Sequence, residues 1–294
     1  MRLNEKGYLS LVQTVLRHGT KINNRTDVPA RVVFGDQLKY SLRDDKLAML
    51  TTKFVSFQAV AKELFWFIRG QTDQEILAKR NVHIWRENSS REFLDSRNLK
   101  HYKEFRTLGP IYGHQWRFFG AEYKDCSTDY RNKGGVDQLQ NCLDLIRNDP
   151  TSRRIILSAW NPMDLDKMAL PPCHAFFQFH VDTTRGELCG NLYQRSADLM
   201  LGVPFNLASY SLLLHIIAKK CNLRPGFLVT SYGNVHIYEN HIEGAEEQVS
   251  RTPLEPPSLD VSISEEMPIE EVDLEHLQLK NYKHLPKINF KMAV

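Results

Sequence analysis

The sequence predicts an α+β fold in one integrated domain, residues 1–294. Three observations carry that expectation. Apolar residues recur at helical spacing in some segments and at alternate positions in others, and the two kinds are interspersed. No proline- or serine-rich linker divides the chain, and no internal repeat is visible. The segment "LMLGVPFNLASYSLLLHIIA", residues 199 to 218, is apolar nearly all round and so needs a large core about it. Its length approaches that of a membrane span. Pro204, Asn206, Ser209, Ser211 and His215 interrupt it, however, and Lys219 and Lys220 follow. A buried helix starting near Pro204 is expected.

The other elements follow in order. Residues 6 to 18, "KGYLSLVQTVLRH", put Tyr8, Leu11, Val12, Val15 and Leu16 at helical spacing, with Gly19 as the stop. "VVFGDQLKYSL" reads as strand. Residues 53 to 69 form a strongly apolar helix ended by Gly70, and Thr72 with Glu75 makes a capping-box pattern for a short helix. A helix fits 137 to 147, closed by "NDP". "RRIILSAW" is apolar on both faces and reads as a buried strand. "ELCGNLYQRS" and "FLVTSYGNVHIY" are further strands. The acidic run "SEEMPIEEVDLE", 264 to 275, reads as a solvated surface segment. The stretches 86 to 106 and 120 to 135 carry no chemical signal.

Composition narrows the class. A net charge of +3 is too small for a general nucleic-acid or membrane-surface binder. The N-terminus, "MRLNEKGYLS", has no apolar run of the signal-peptide kind. The five cysteines are odd in number, scattered, and without a CxxC pair, so neither a zinc site nor a disulfide framework is expected. A reducing, cytoplasmic protein fits, with no metal.

In "DKMALPPCHAFFQFHV", Pro171 and Pro172 fix a turn, and Cys173 stands at the entrance of an alternating strand. Ala175, Phe177, Phe179 and Val181 share one face of it, opposite His174, Phe176, Gln178 and His180. Cys173 is either a small buried hydrophobe or a nucleophile. His174, on the opposite face, is badly placed to deprotonate it, so arginine charge is the better activator. Arg153 and Arg154 open one strand, Arg195 and Ser196 close another, and Arg25 lies in a loop. Each is an ordinary surface arginine or part of a phosphate site, whose oxygens suit guanidinium forks. No GxxxxGK[ST] or GxGxxG sequence accompanies them. Glu63 has apolar helical neighbours: it is either a proton-transfer group with a raised pKa or the partner of a distant Lys or Arg. His236 and Tyr238 share a strand face, which suits one sugar hydroxyl or simply a half-exposed strand. Asn206 is either a helix N-cap or a reader of a pyrimidine imide, since its amide both donates and accepts.

At these residues the chain resembles the thymidylate synthase family over almost its whole length. The resemblance rests on "LGPIYGHQWRFFGAEY", "RRIILSAWNPMDLDKMALPPCHA", "LYQRSADLMLGVPFNLASY", "GNVHIYENHIE" and the terminal "KMAV". The middle, 87 to 108, is similar to the eukaryotic and viral forms. The resemblance implies a large mixed, mostly antiparallel sheet around a long buried helix, and a homodimer packed sheet to sheet. It implies reductive methylation of dUMP to dTMP, with 5,10-methylenetetrahydrofolate as co-substrate. Cys173 would add to uracil C6, making C5 a nucleophilic enolate that takes the folate's methylene carbon. Arg25, Arg195 and Ser196 would hold the phosphate, with Arg153 and Arg154 reaching it across the dimer. His236 and Tyr238 would bind the sugar hydroxyl, and Asn206 the uracil imide. Glu63 would organise water and proton transfer, and Tyr112 would help remove the C5 proton. Trp160, Asn161, His174 and Gln194 would shape the pyrimidine cavity. Asp198 would bond the pterin. Ile84, Trp85, Asn88, Leu201, Gly202 and Phe205 would flank the folate, and Met292, Ala293 and Val294 would close over it.

Some positions depart from the family pattern: Ala197 stands where glycine or cysteine is commoner, Asn234 where aspartate is frequent, and Arg86 where an acidic residue is usual. Two rivals are a deoxycytidylate hydroxymethylase-like enzyme and a nucleic-acid-binding protein using the arginines. The first would favour an acid at 206 to meet cytosine's amino group. The second would show dispersed basic charge.

Overall fold

The computed structural model describes residues 2–24 and 26–292. After β1 (Arg2–Leu3), helix α1 (Asn4–His18) buries the expected stripe, with Tyr8, Leu11, Val12 and Val15 inaccessible to solvent. It stops where Gly19 turns extended (φ −65°, ψ 132°) with its N–H still given to the Val15 carbonyl, and a Cβ there would lie 2.5 Å from that oxygen, so the position needs glycine. Strands β2 (Thr20–Ile22) and β3 (Ala30–Ser41) follow.

Helix α2 (Phe57–Ile68) begins four residues later than residue 53. The reason lies upstream: the Glu5 carboxylate accepts from the backbone N–H and hydroxyl of both Thr51 and Thr52, which fixes that segment outside the helix. Ser56 then caps α2, and Gly70 (φ +69°) ends it. Helix α3 (Gln74–Lys79) is capped by Asp73, which accepts from Glu75 N, and not by Thr72. The Thr72 hydroxyl is taken instead by the Tyr123 hydroxyl, 2.9 Å away. The chain continues through α4 (Arg91–Ser96), α5 (Tyr112–Phe118) and α6 (Gln138–Asn148), the last capped by Asp137.

Strand β4 is only Ile156–Ser158, and it alternates: Leu157 is buried while Ile156 and Ser158 are half-buried. "RRIILSAW" is therefore not buried on both faces, and Arg153 and Arg154 precede the strand as exposed residues. β5 (His174–Asp182), β6 (Glu187–Asp198), α7 (Gly202–Lys220), β7 (Arg224–Tyr238), α8 (Ile242–Ser250), β8 (Ser258–Val261) and β9 (Leu277–Lys280) complete the order.

The main sheet runs β1-β3-β7-β6-β5-β4, with β2 also on β3. β1/β3 and β6/β7 are parallel and the other pairs antiparallel, which is the expected mixed, mostly antiparallel sheet. Helix α7 packs on β6 and β7. Leu212, Leu213, Leu214, Ile216 and Ile217 are all inaccessible, so it is buried on most sides as its composition requires. Among the described residues no helix is long and apolar enough to cross a membrane. Leu213→Ala should cost ~2–5 kcal/mol of unfolding free energy through lost transfer and the cavity left behind. Urea denaturation reads that value, and a cost under about 1 kcal/mol would show that α7 is not the core element described.

The acidic run lies at the surface as expected, with Glu265, Glu266, Glu271 and Glu275 exposed, but it is anchored. Ile269 and Val272 are buried within it. Glu270 pairs with Arg117, Asp273 pairs with Arg69 and Arg80, and the Lys220 ammonium donates to the Glu265 and Met267 carbonyls. Distant cations pin a stretch whose own composition reads as solvated.

Candidate active site

Cys173 is the last residue before β5. Its N–H donates to the Tyr112 hydroxyl at 2.8 Å, and its carbonyl accepts from Arg195 N at 2.9 Å. The Arg195 side chain folds back on the same turn: Nε donates to the Pro172 carbonyl at 2.9 Å and Nη2 to the Pro171 carbonyl at 2.7 Å. Nη2 then lies 3.9 Å from Cys173 Sγ. The two prolines therefore fix the turn and also aim two carbonyls that hold a guanidinium beside the sulfur. Trp160 packs on that guanidinium at 5.5 Å.

Strict alternation fails at the first residue of β5. His174 pairs with Gln194 but Phe176 pairs with Tyr193, so Ala175 is a bulge. The bulge turns His174 inward, not outward with Phe176 as the pattern predicts. Its ring stacks on Tyr112 at 3.9 Å and 13°, and Nδ1 meets the Tyr210 hydroxyl at 2.8 Å. Burial pushes its pKa down to about 3, so the imidazole is neutral. Gln194 is buried opposite it, with Oε1 left unbonded among the described residues.

Behind Tyr112 lies the buried Glu63. No Lys or Arg pairs with it among the described residues; the Trp85 indole donates to its carboxylate at 2.7 Å. Burial raises its pKa to about 7, with the indole bond opposing that rise. The Trp85 ring stands edge-on to Tyr112 at 6.0 Å. Glu63, Trp85, Tyr112 and Cys173 thus form a connected line from the core to the Cys173 backbone.

A cavity of about 680 Å³ opens in front of Cys173. Arg195, Ser196, His236 and Tyr238 line it. The parallel register of β6 and β7 explains that meeting, because Ser196 lies beside Asn234 and Asp198 beside His236. His236 Nδ1 lies 2.9 Å from the Asn234 amide oxygen, and its ring meets Tyr238 edge-on at 5.1 Å. Burial lowers the His236 pKa, with the Asp198 charge opposing. Asn24 and Thr26 line the cavity on either side of Arg25, which lies outside the described residues.

Other expected residues sit around this cavity or away from it. α7 starts at Gly202, so Asn206 is its fifth residue, half-buried, and not the N-cap. Asp198 Oδ1 accepts from Met200 N and Leu201 N, closing the turn from β6 into α7. The Asn161 amide is committed to Gln115 and Asp164. Trp160 lines a separate hollow of about 560 Å³ on the outer sheet face, with Phe176 and Tyr193. Arg153 and Arg154 are outside the Cys173 cavity. Asn88 is buried, and Ile84, Leu201, Gly202 and Phe205 are half-buried. Met292 is exposed, while Ala293 and Val294 lie outside the described residues.

Three residues went unread in the sequence. Tyr210 fixes His174, and its only signal is its place one turn after Asn206 on α7. Lys53 is buried, donates to the Met200 carbonyl and faces the Phe290 ring at 4.7 Å; burial brings its pKa down to about 8. Arg97 lines the cavity from the mixed-charge stretch, where nothing in the sequence marks it. Among the described residues no group of three or more His, Cys, Asp or Glu could hold a metal ion.

Residues 6–294 match the family model described as Thymidylate synthase. Three curated relatives carry the description bifunctional dihydrofolate reductase-thymidylate synthase. That of Zea mays is 48% identical over 293 residues, covering 100% of this chain and 55% of the relative. That of Plasmodium chabaudi is 48% identical over 289 residues, covering 98% of this chain and 48% of the relative. That of Leishmania major is 46% identical over 290 residues, covering 99% of this chain and 55% of the relative. The chain thus spans about half the length of these relatives. By the match over nearly all its residues, the chain belongs to the thymidylate synthase family.

Proposed function

We propose that residues 1–294 form one catalytic domain that converts dUMP to dTMP. The observation that carries this reading is the Arg195 guanidinium held 3.9 Å from Cys173 Sγ, at the wall of a cavity with His236 and Tyr238. A cation beside a sulfur favours the thiolate, which is the nucleophile. Cys173 forms a bond to uracil C6, and the electron pair moves through C5 to O4. C5 then forms the new carbon bond to the folate's methylene and loses its proton. The electron pair left at C5 expels the folate nitrogen, and the resulting exocyclic methylene takes a hydride from the tetrahydrofolate. The sulfur then leaves with its electron pair and the 5,6 double bond returns. 5,10-methylenetetrahydrofolate supplies the carbon and the hydride and ends as dihydrofolate. The half-buried apolar side chains of Ile84, Leu201 and Phe205, with Trp85 beside Glu63, suit the ring faces of the co-substrate.

Chain residues then take these roles. Arg195 and Ser196, with Arg25, hold the phosphate, and His236 with Tyr238 grips the sugar hydroxyl. Asn206 reads the imide. Tyr112, whose hydroxyl already accepts from Cys173 N, assists at C5, and Glu63 with its pKa near 7 relays protons. Trp160, Asn161, His174, Gln194 and Asp198 shape and support the cavity. The neutral His174 adds no charge beside the thiol. Arg153 and Arg154 complete the phosphate site across a homodimer. Phe34, Phe176 and Tyr193, exposed at 83%, 38% and 43%, give the outer sheet face apolar area for a second copy. The five scattered cysteines favour a reducing cytoplasm.

The test is an assay of purified protein with dUMP and 5,10-methylenetetrahydrofolate. One dTMP should form for each dihydrofolate. Absence of dTMP, with hydroxymethylation of dCMP instead, would transfer the reading to the rival enzyme. Asn206→Asp should move the ratio of kcat/KM from dUMP towards dCMP by roughly 10²-fold or more, because a buried mismatched amide or acid is left unpaired. An unchanged ratio would remove Asn206 from base recognition.

A further inference from the structure

The Cys173 cavity carries a second guanidinium. Arg97, at the C-terminal end of α4, lines it together with Ser96. Its Nη2 makes only long contacts, 3.4 Å to the Leu165 carbonyl and 3.5 Å to the Met168 carbonyl. Its Nε is buried without a hydrogen-bond partner among the described residues. Arg97 as a whole is half-buried, but an inaccessible N–H donor without a partner costs free energy unless something fills the place. No carboxylate is found among the described residues that line the cavity.

Donor counting shows what Arg97 would add beside Arg195. Arg195 spends Nε and Nη2 on the proline carbonyls, with Nη2 also facing the sulfur. Of its paired forks only Nη1 is left over, whereas a phosphate dianion offers three strongly accepting oxygens. Arg97 has that spare capacity. Both guanidiniums are tethered to one stretch of chain, Arg97 at Met168 and Arg195 at Pro171. Three residues span at most ~11 Å, so the two side chains can converge on one anion. Ser196, which also lines the cavity, adds a hydroxyl donor, whereas the Thr26 hydroxyl is already given to the Asn24 amide oxygen.

We propose that Arg97 is a substrate-binding residue of this chain, a further guanidinium on the phosphate of the nucleotide. The proposal rests on the dUMP reading of the cavity for the identity of the nucleotide, and on the cavity alone for the phosphate. The experiment uses the full chain, Arg97→Gln and Arg97→Lys, and measures Kd for dUMP, deoxyuridine and inorganic phosphate by calorimetry. Arg97→Gln should weaken dUMP and inorganic phosphate roughly 10- to 100-fold, the worth of a charged hydrogen bond. Deoxyuridine, which has no phosphate, should change less than about twofold. Arg97→Lys keeps the charge without the fork and should fall between. In turnover the loss should appear in the KM for dUMP more than in kcat. Equal weakening of dUMP and deoxyuridine, or a rise confined to the KM of the folate, would overturn the assignment. Unchanged affinity in both variants would overturn it too. A wild-type chain that binds inorganic phosphate through Arg97 but makes no dTMP would leave Arg97 in place and sink the proposed reaction instead.

Discussion

Cys173→Ser should lower kcat by ~10⁴-fold or more while dUMP still binds, because the C6 bond precedes every later step. A serine oxygen is a far weaker nucleophile at neutral pH and is less well matched to a soft ring carbon. The groups proposed to hold the nucleotide are untouched: Arg195 keeps its proline carbonyls, and His236 keeps Asn234. Backbone geometry is also preserved, since Tyr112 is held by the Cys173 N–H and not by the sulfur. Single-turnover kinetics with a parallel dUMP titration separates the two effects. Turnover near the wild-type rate would remove the nucleophile, and loss of binding along with rate would point to damaged packing.

Glu63→Gln should trade activity for stability. A positioned proton-transfer group is worth ~10²–10⁴-fold in rate, so kcat should fall by that order. The Trp85 indole can still donate to the side-chain amide oxygen of the substituted residue, so the local packing survives. Stability moves the other way at high pH. Burial raises the folded-state pKa of Glu63 from 4.5 to about 7. Its favourable share of stability is therefore complete below pH 4.5 and is lost as pH climbs through 7. Above pH 7 the native protein holds a buried carboxylate, at a penalty on the order of 3 kcal/mol. Glutamine never ionises, so the variant should melt higher than wild type at pH 8 and match it more closely at pH 5. Calorimetric Tm across that range reads the difference. A pH-independent Tm difference would show that Glu63 titrates normally, and an unaltered kcat would end its role as a proton relay.

Much of this was legible because the relevant signals are local. The apolar circumference of α7, the alternation along β5 to β7 and the placement of Cys173 after two prolines depend on near neighbours in sequence. What was not legible depends on distant partners. Residue 53 looks helical until Glu5, far upstream, takes the Thr51 and Thr52 donors. Thr72 and Glu75 have the spacing of a capping box, yet Tyr123 claims the threonine hydroxyl. The run 264–275 reads as solvated until Arg117, Arg69, Arg80 and Lys220 are brought to it.

The same division holds at the site. A bulge at Ala175 reverses the face of His174, and alternation alone cannot reveal one extra residue in a ladder. Glu63 could have met a cation or an indole; the helix that carries it says only that its surroundings are apolar. Asn206 sits past the first turn of α7 because that helix begins at Gly202, two residues before the proline that marks its expected start in sequence. Arg97 is silent in sequence because one arginine among mixed charges looks like solvated surface, and only the closing of α4 onto the 165–172 segment gives it a cavity.

The proposed reaction depends on a covalent bond between Cys173 sulfur and C6 of a pyrimidine nucleotide. It is tested most directly by incubating the protein with 5-fluoro-dUMP and 5,10-methylenetetrahydrofolate, digesting it, and weighing the peptides. C5 must lose a cation at this step, and fluorine cannot leave as one in place of the proton, so the bonded complex should be trapped. The peptide containing Cys173 should gain the mass of the nucleotide plus the folate. An adduct on any other residue, or no adduct in protein that still converts dUMP, would contradict it.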